Sequence, residues 1–432
     1  MKKTQLFCVT TVLLFALNGT TLSAPTGNKV TINGRRGTWE LNVNSRSFFV
    51  KGAGCGNAVG KNGEDYLKLA QEMGANCVRT WGIDQGTQEY LDKAAAYGLM
   101  VNAGIWLNVP DAERKITYRG PCEFVDAMRT QALDYVRMFK DHPAILMWNV
   151  GNEVLVFTKE EEERLAFCRF LEDLVQEIHR IDPNHPVVYA DAAHVSLNYL
   201  KRYVPSLDIM GMNIYGSVRA AHGAWDSLNA DRPYLITEFG PSLPMYSGRD
   251  RHQQAREPGD YQKAIIYRNM ARHVQEFKGY NLGGFAFHLG ETTQDSMTWW
   301  NLNERGEKRQ SFWAVYEAYT GNPAPGAAPK IADMTLSKEM GIEPGETIEV
   351  NVRAGLPAGG TPSYEYCVST SQEGVLQYYV NTFVPVSVRG EGSQVRIAAP
   401  EKEGIYRLYC FVRDGCGNVS SVNKSIRIVA SK

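Results

Sequence analysis

The stretch that decides the fold is Ile145-Leu146-Met147-Trp148-Asn149-Val150-Gly151-Asn152-Glu153-Val154. It begins as a continuous apolar run, which is typical of a parallel β-strand buried on both faces. After Gly151 the run gives way to an amide and a carboxylate, Asn152 and Glu153, and burying such groups without partners costs free energy. The pattern therefore predicts a strand that presents two polar side chains at its C-terminal end.

A second stretch repeats this arrangement. Pro233-Tyr234-Leu235-Ile236-Thr237-Glu238-Phe239-Gly240 is a short apolar run with one carboxylate, Glu238, near its C-terminal end. Two carboxyl groups at the ends of two strands of one sheet suit acid/base and nucleophilic work on a glycosidic bond. The hypothesis requires that the rest of the chain brings these two strand ends together.

Between residues 48 and 320, strand-like runs alternate with helical patterns. The predicted strands occupy residues 48–54, 77–81, 99–106, 145–150, 187–191, 208–215, 233–240 and 283–288. Eight strands with helical connections favour an α/β fold of the (β/α)8 (TIM) barrel type over an open sheet. In such a barrel the functional site lies at the C-terminal strand ends, where the polar residues of both quoted stretches fall.

Helices are predicted at residues 64–73, 88–97, 123–140, 261–277 and 309–319, and the first two end at Gly74 and Gly98. Thr158-Lys159-Glu160-Glu161 predicts a capping box that opens a further helix. The acidic run 160–163 then forms a solvated first turn that the helix dipole favours, rather than a metal site.

The two ends of the chain predict further segments. Residues 1–24 combine a basic start, a mostly apolar run and the small pair Ser23-Ala24, which indicates a signal peptide and a secreted or periplasmic protein. The barrel domain is expected at residues 25–320, opening with a β-hairpin around Asn33-Gly34-Arg35-Arg36-Gly37. A linker rich in Pro, Gly and Ala covers 321–330. Short strands with glycine-rich turns over 331–432 favour an all-β, Ig-like sandwich.

Composition narrows the possible partners. With 46 Lys and Arg against 47 Asp and Glu and no basic stripe, nucleic acid is not an expected partner. No internal stretch is long enough for a membrane span. The cysteines match no zinc or redox spacing, and a bridge between Cys367 and Cys410 is left open. Asp84, Asp191 and Asp295 are too scattered to indicate a metal, and no cofactor is expected.

Glu153 and Glu238 are the candidate catalytic residues, because strands four and seven face each other across an eight-stranded barrel. Carboxyl groups about 5–5.5 Å apart act as acid/base and nucleophile in a retaining mechanism, whereas a wider gap admits water and inverts. Glu153 then needs a raised pKa to protonate the leaving oxygen. Asn152 is placed to hold a sugar 2-hydroxyl, Tyr215 to hydrogen-bond the nucleophile, and Arg79 to stabilise the charge of the nucleophile.

Aromatic and histidine side chains near predicted strand ends are candidate substrate contacts. Tryptophan rings at such positions stack on sugar faces, with core packing as the alternative for each ring. These tryptophans are Trp81, Trp106, Trp225, Trp299 and Trp300. For His194 and His288 a substrate contact and a structural role both remain open.

Trp148-Asn149-Val150-Gly151-Asn152-Glu153 with Ile236-Thr237-Glu238-Phe239-Gly240 resembles a large clan of retaining β-glycosidases, which carry the acid and the nucleophile on strands four and seven. In this resemblance Arg79 and Tyr215 match the clan's strand-two arginine and strand-six tyrosine. The resemblance covers about residues 38–320, and the barrel is similar to the catalytic domain of glycoside hydrolase family 2.

One position departs from the clan. The tryptophan that the clan carries at the end of strand eight is replaced here by Phe287-His288. Either Trp299 or Trp300 is expected to take its place.

Two further resemblances concern the substrate. Gly151-Asn152-Glu153-Val154 resembles the fungal β-1,3-glucanosyltransferases, and the barrel followed by an Ig-like domain resembles the bacterial endo-β-1,3-glucanases of family 158. They imply a polysaccharide or oligosaccharide substrate and favour a secreted endo-β-glucanase acting on β-1,3-glucan. The alternatives are an exo-β-glycosidase or mannanase of the same clan, a transglycosylase, and a non-catalytic glycan-binding protein.

The helix before the linker carries more aromatic side chains than the barrel alone needs. These are Phe312, Trp313, Tyr316 and Tyr319. The sandwich is therefore expected to pack against the barrel as a structural partner, without building the catalytic site.

Overall fold

The computed structural model describes residues 27–290, 298–357, 359–370 and 383–429, so the predicted signal peptide lies outside the described residues. The described chain opens with an antiparallel sheet of β1 (Val30–Asn33), β2 (Glu40–Val43) and β3 (Arg46–Phe48). Its first two strands confirm the predicted hairpin. Val30 N donates to Asn184 O (2.8 Å) and Trp39 N to Gly279 O (2.9 Å). Both acceptors precede barrel strands, so this sheet lies at the N-terminal end of the barrel.

Within the described residues, eight parallel strands close into a barrel, which confirms the predicted fold class. In chain order they are β4 (Val50–Gly54), β5 (Cys77–Arg79), β6 (Met100–Ile105), β7 (Ile145–Asn152), β8 (Val187–Ala192), β9 (Ile209–Tyr215), β10 (Tyr234–Gly240) and β11 (Asn281–Ala286). Each strand pairs with the next in the chain, and β11 pairs with β4. The first seven residues of β7 are all buried, because the barrel interior covers one face of the strand and the helices cover the other.

Helices surround the barrel. They are α1 (Tyr66–Glu72), α2 (Thr87–Ala96), α3 (Glu123–Phe139), α4 (Val154–Phe157), α5 (Glu161–Ile181), α6 (Ala193–Tyr203), α7 (Val218–Ser227), α8 (Asp260–Glu276) and α9 (Gln310–Thr320). The predicted stops at Gly74 and Gly98 have φ of +80° and +69°, the left-handed region that favours glycine. Of the helices in the described part of the chain, none has the length and apolar character needed to cross a membrane.

The capping box predicted at Thr158 is wrong. Thr158 Oγ1 donates to Val154 O at 2.6 Å and so closes the short helix α4, while α5 begins after Glu160 without a side-chain cap. The predicted solvated turn holds for Glu160–Glu162 but not for Glu163, which is buried. Glu163 accepts from Tyr118 N at 2.9 Å and from Arg119 Nε at 2.8 Å, so it ties the loop after β6 to α5.

The C-terminal part is a sandwich of two antiparallel sheets, preceded by a small hairpin of β12 (Asn303–Glu304) and β13 (Glu307–Lys308). The sandwich strands are β14 (Lys330–Leu336), β15 (Thr347–Gly355), β16 (Ser363–Thr370), β17 (Phe383–Val384), β18 (Val388–Arg389), β19 (Gln394–Ala398), β20 (Gly404–Arg413) and β21 (Val419–Ile428). Among the described residues the sheet orders are β14-β15-β19-β18 and β17-β16-β20-β21. An Ig-like topology stays a prediction, which this order favours.

The bridge considered between Cys367 and Cys410 does not form, and both thiols are free. The two residues lie on adjacent strands of one sheet, not on facing sheets, and Cys410 stands opposite Tyr366. Because successive side chains of a strand point to opposite faces, Cys367 and Cys410 point to opposite sides of that sheet.

The prediction that the sandwich packs against the barrel is confirmed by a buried polar network. Arg309 Nη2 pairs with Asp260 Oδ1 at 2.9 Å, and Asp260 also accepts from Ser421 N of β21 at 2.8 Å. Asn423 Nδ2, also on β21, donates to Glu257 at 2.6 Å. Lys263 pairs with Glu257 in the same buried layer. Charged side chains are rarely buried unless they are paired, so these groups hold the two parts in one fixed arrangement.

The aromatic helix contributes less to this contact than predicted. Phe312 and Tyr319 of α9 belong to the barrel core. Trp313 does face the sandwich, where its Nε1 donates to Asn418 Oδ1 at 2.8 Å. The linker is held from both sides as well, because Pro329 O accepts from Gln310 Nε2 of α9 and from Ser420 Oγ of β21.

Asp260→Ala is expected to lower the free energy of unfolding by about 3 kcal/mol or more, because a buried guanidinium loses its nearest carboxylate. The Arg309 guanidinium then keeps only the more distant carboxylate of Glu304, which lies 4.0 Å from Arg309 Nη1. The measurement is a urea titration of the full chain. The control is Glu349→Ala, which removes a largely exposed partner of Arg396 and should cost about 0–1 kcal/mol. Equal midpoints for the two variants would contradict a structural role of the network.

Candidate active site

The chain turns sharply where β7 ends. Gly151 has φ of +87° and Glu153 has φ of +56°. A Cβ at residue 151 would lie 3.0 Å from the ring of Tyr189, so glycine is required there for close packing as well as for its backbone angle. Glu153 N donates to Ala190 O of β8 at 2.8 Å. This turn lets the consecutive residues Asn152 and Glu153 both face the barrel mouth.

Glu238 of β10 is buried, with 4% of the residue exposed. Its Oε1 accepts from Arg79 Nη1 at 2.6 Å and from Trp81 Nε1 at 2.8 Å. Its Oε2 accepts from the Tyr215 hydroxyl at 2.5 Å. All three neighbours donate, which suits an ionised carboxylate because it is an acceptor only.

A chain of hydrogen bonds links Glu238 to Glu153. Arg79 Nη2 donates to Asn152 Oδ1 at 2.8 Å. The amide of Asn213 on β9 donates to the same Asn152 oxygen at 3.1 Å and to Glu153 Oε1 at 2.9 Å. The two carboxyl groups are thus held in one polar cluster at the C-terminal ends of strands four and seven of the barrel.

The environments of the two carboxyl groups differ. Burial raises the pKa of Glu153 well above its ordinary value of 4.5, and the negative charges of Glu238 and Asp191 raise it further. The Asn213 amide and the Arg79 cation oppose this shift. Glu153 is therefore biased towards the protonated form beside a carboxylate that is surrounded by donors. Such a difference in surroundings fits one acid and one ionised carboxylate.

The predicted substrate-contact residues near the barrel mouth differ in how exposed they are. Trp81 follows β5 and touches Glu238 directly. Trp106 follows β6, next to Gly82, and remains 42% exposed at the rim. His288 is buried against Trp81, and burial lowers its pKa, which favours the neutral ring. His194 is exposed in the first turn of α6.

The other three tryptophans predicted as substrate contacts are packed inside the protein. Trp299 and Trp300 are 0% and 3% exposed, and their indole nitrogens donate to Ser242 O and Pro241 O at 3.0 Å each. The Trp300 ring lies 5.6 Å from that of Tyr215, so it packs against the ring whose hydroxyl donates to Glu238. Trp225 lies in α7 rather than at a strand end, and is fully buried.

Sequence reasoning missed two members of the cluster, Asn213 and Thr237. Thr237 Oγ1 donates to Asn213 Oδ1 at 2.8 Å, which turns the Asn213 amide nitrogen towards Glu153. The signal for Asn213 was its position two residues before Tyr215, because alternate residues of a strand share a face. Across the described chain, no group of three or more His, Cys, Asp or Glu side chains is arranged to hold a metal ion.

Residues 56–290 match the family model described as "Glycosyl hydrolases family 2, TIM barrel domain". Among curated proteins, the β-glucuronidase of Sus scrofa is 22% identical over 246 residues, which covers 53% of this chain and 35% of that protein. The β-glucuronidase of Bacteroides fragilis is 24% identical over 209 residues, covering 47% of this chain and 29% of that protein. The alignments thus span about a third of these curated relatives.

Solved structures give the same fold at lower sequence identity. Apo β-glucuronidase 3 of Bacteroides uniformis has a TM-score of 0.51 at 14% identity, covering 93% of this chain and 52% of that chain. A putative β-galactosidase of Bacteroides fragilis has a TM-score of 0.51 at 13% identity, covering 93% of this chain and 58% of that chain. At such identities the likeness shows the fold alone.

Glu238→Gln is expected to lower the pKa of Glu153, because the variant removes a neighbouring negative charge while keeping the side-chain shape. The measurement is a pH titration by carbon-13 NMR of protein labelled at its glutamate carboxyl groups, with Glu153→Gln used to assign the signal. Glu349→Gln, on the outer sheet of the sandwich, is the control and should leave the titration unchanged. An unaltered Glu153 titration in Glu238→Gln would contradict the charge coupling.

Proposed function

The chain belongs to glycosyl hydrolase family 2, and from this membership we propose that it is a retaining β-glycoside hydrolase with Glu153 as acid/base and Glu238 as nucleophile. The observation that carries the proposal is the hydrogen-bonded chain from Glu238 through Arg79, Asn152 and Asn213 to Glu153. It supports a pair of carboxyl groups that act on one bond from fixed positions.

In the proposed first step, Glu238 attacks the anomeric carbon while Glu153 gives its proton to the leaving oxygen, so the glycosidic bond breaks and a glycosyl ester forms. The ester no longer carries the negative charge of Glu238. Because that charge is one cause of the raised pKa of Glu153, its loss makes Glu153 a stronger acid, ready to act as a carboxylate base.

In the second step, Glu153 takes a proton from water and the hydroxide attacks the anomeric carbon, which releases Glu238 as a carboxylate. Arg79, Trp81 and Tyr215 donate to the departing carboxylate. Asn152 is proposed to hold the sugar 2-hydroxyl, where hydrogen bonds strengthen in the transition state.

The proposed substrate is a β-glucan, cleaved internally, with the β-1,3 linkage favoured. Support for a polymer comes from Trp106, whose ring is exposed on the rim beside the Trp81-Gly82 segment and offers a stacking face beyond the cleaved bond. Support for the linkage is the resemblance of the barrel-plus-sandwich layout to endo-β-1,3-glucanases. Secretion is proposed from the N-terminal leader pattern. The curated relatives carry the name β-glucuronidase, so aryl β-glucuronides belong in any substrate test.

Glu153→Gln and Glu238→Gln should each lower kcat by several orders of magnitude, because the reaction loses its acid or its nucleophile. The loss at Glu153 should be smaller for a 2,4-dinitrophenyl glycoside, whose leaving group needs little protonation. Proton NMR of the first product formed by the wild type should show retained anomeric configuration. Near-wild-type turnover in both variants, or an inverted anomer, would overturn the proposed mechanism.

Trp106→Ala should raise KM for a long β-1,3-glucan several-fold and leave kcat/KM on a short aryl glycoside unchanged, since the lost ring contacts distant sugar units. Phe124→Ala, another exposed aromatic on the surface helix α3, is the matched control. The panel consists of β-1,3-, β-1,4- and mixed-linkage glucans, mannan, galactan and aryl β-glucuronides, scored by product length. Cleavage of β-glucuronides alone would replace the glucan proposal, and products longer than the substrate would indicate transglycosylation.

A further inference from the structure

Asp191 is the last residue but one of strand β8, which pairs with β7 beside the Glu153 turn, and it is 0% exposed. Its Oδ2 accepts from Leu155 N at 2.9 Å and from the Tyr189 hydroxyl, and its Oδ1 accepts from Ala192 N at 2.7 Å. The backbone N–H of Val156 also acts to lower the pKa of Asp191. Only donors face this carboxylate in these contacts, which suits its ionised form.

The segment that follows Glu153 needs an acceptor from elsewhere. Glu153 precedes the four-residue helix α4 with a left-handed backbone, φ +56° and ψ +28°, and its own side chain makes no capping hydrogen bond. Its carboxyl group is instead turned to Asn213. Asp191 therefore fills, from the neighbouring strand, the capping position that Glu153 leaves open by facing the site.

We propose that Asp191 is the positioning residue of the acid/base: its carboxylate fixes the backbone after Glu153, and its negative charge keeps the proton on Glu153. This inference rests on the proposed function, since it assigns Asp191 a role through Glu153 and not through contact with the substrate.

The charged groups around Glu153 and Asp191 determine the direction in which the pKa of Glu153 shifts. Glu153 is faced by Glu238 from β10, Asp191 from β8 and Arg79 from β5, with the neutral Asn213 amide on β9. Asp191 is faced by the Tyr189 hydroxyl of its own strand, and the Cys168 thiol of α5 lies within its electrostatic influence.

Burial raises the pKa of Asp191 to about 7 against the effect of its donors. As the pH rises through that value the Asp191 charge appears, and removal of the Glu153 proton becomes harder. The charge therefore extends the active range towards higher pH.

The test compares pH profiles of kcat/KM for the full-length protein, with 4-nitrophenyl and 2,4-dinitrophenyl glycosides of the sugar that the substrate panel identifies. Asp191→Asn should move the alkaline limb to lower pH by about 1 unit, the size expected for loss of one nearby like charge. The limb reports the acid of the free enzyme. The 4-nitrophenyl substrate should lose more activity than the 2,4-dinitrophenyl substrate, because it depends more on protonation.

Tyr189→Phe is the second variant, for the case in which Asp191→Asn does not fold. It removes one donor and so delays ionisation of Asp191, which should move the same limb in the same direction by a smaller amount. The matched control is Asp182→Asn, which removes another buried carboxylate, one that accepts from Trp148 and His185 before β8 begins. This control should lose stability but keep the alkaline limb of the wild-type pH profile.

Glu153→Gln, measured in parallel, separates the two hypotheses. Wild-type hydrolysis by Glu153→Gln would sink the proposed function itself. The role of Asp191 alone would be contradicted if Glu153→Gln were inactive while Asp191→Asn and Tyr189→Phe kept the wild-type alkaline limb. Should the first variant not fold, the limb of Tyr189→Phe decides alone.

Discussion

The buried guanidinium of Arg79 is the constraint on which the site depends. Its side chain is 0% exposed and bonds to Glu238, to the carbonyl of Thr237 and to Asn152. A charge taken out of water is tolerated only when it is paired and hydrogen-bonded. Because one guanidinium on strand two of the barrel binds groups on strands four and seven, it fixes the relative placement of two acidic strand ends. It also supplies the positive charge that offsets the repulsion between the carboxyl groups.

On the Glu153 side of this cluster, one neighbouring strand both holds an unusual backbone conformation and influences the pKa of the side chain. The turn at the end of β7 contains Gly151, where a Cβ would lie too close to the Tyr189 ring. Glu153 follows two residues later with a left-handed backbone. A non-glycine residue in that region is uncommon and persists where its surroundings hold it. Here the surroundings are the β8 backbone at Ala190 and the carboxylate of Asp191. The same strand that holds the backbone thus also carries the Asp191 charge that raises the pKa of Glu153.

The barrel and its two acidic strand ends could be predicted from sequence because buried strands read as apolar runs, and the exceptions then stand out as polar residues at the strand ends. Asn213 was missed because an asparagine inside an apolar run carries no sign of its partner, which comes from a strand about sixty residues away. A capping box would need the Thr158 side chain to accept from a backbone N–H at the start of a helix, but its hydroxyl instead donates to Val154 O and α5 begins only at Glu161. The Cys367–Cys410 bridge failed because a difference of one residue in strand register reverses the face of the sheet. Local patterns predict elements, whereas three-dimensional contacts decide partners.

Covalent attachment of the sugar to Glu238 is the step that distinguishes the proposed mechanism from its alternatives. The most direct measurement is incubation with a 2-deoxy-2-fluoro-β-glycosyl fluoride of the accepted sugar, followed by mass spectrometry of the intact protein and of its peptides. The fluorine at C2 slows both the formation and the hydrolysis of the glycosyl ester, whereas the fluoride leaving group speeds only its formation, so the intermediate accumulates. The proposed mechanism predicts one added fluorosugar per chain, located on the peptide that contains Glu238 and absent in Glu238→Gln. A sugar attached to another residue, or continued turnover without any adduct, would contradict it.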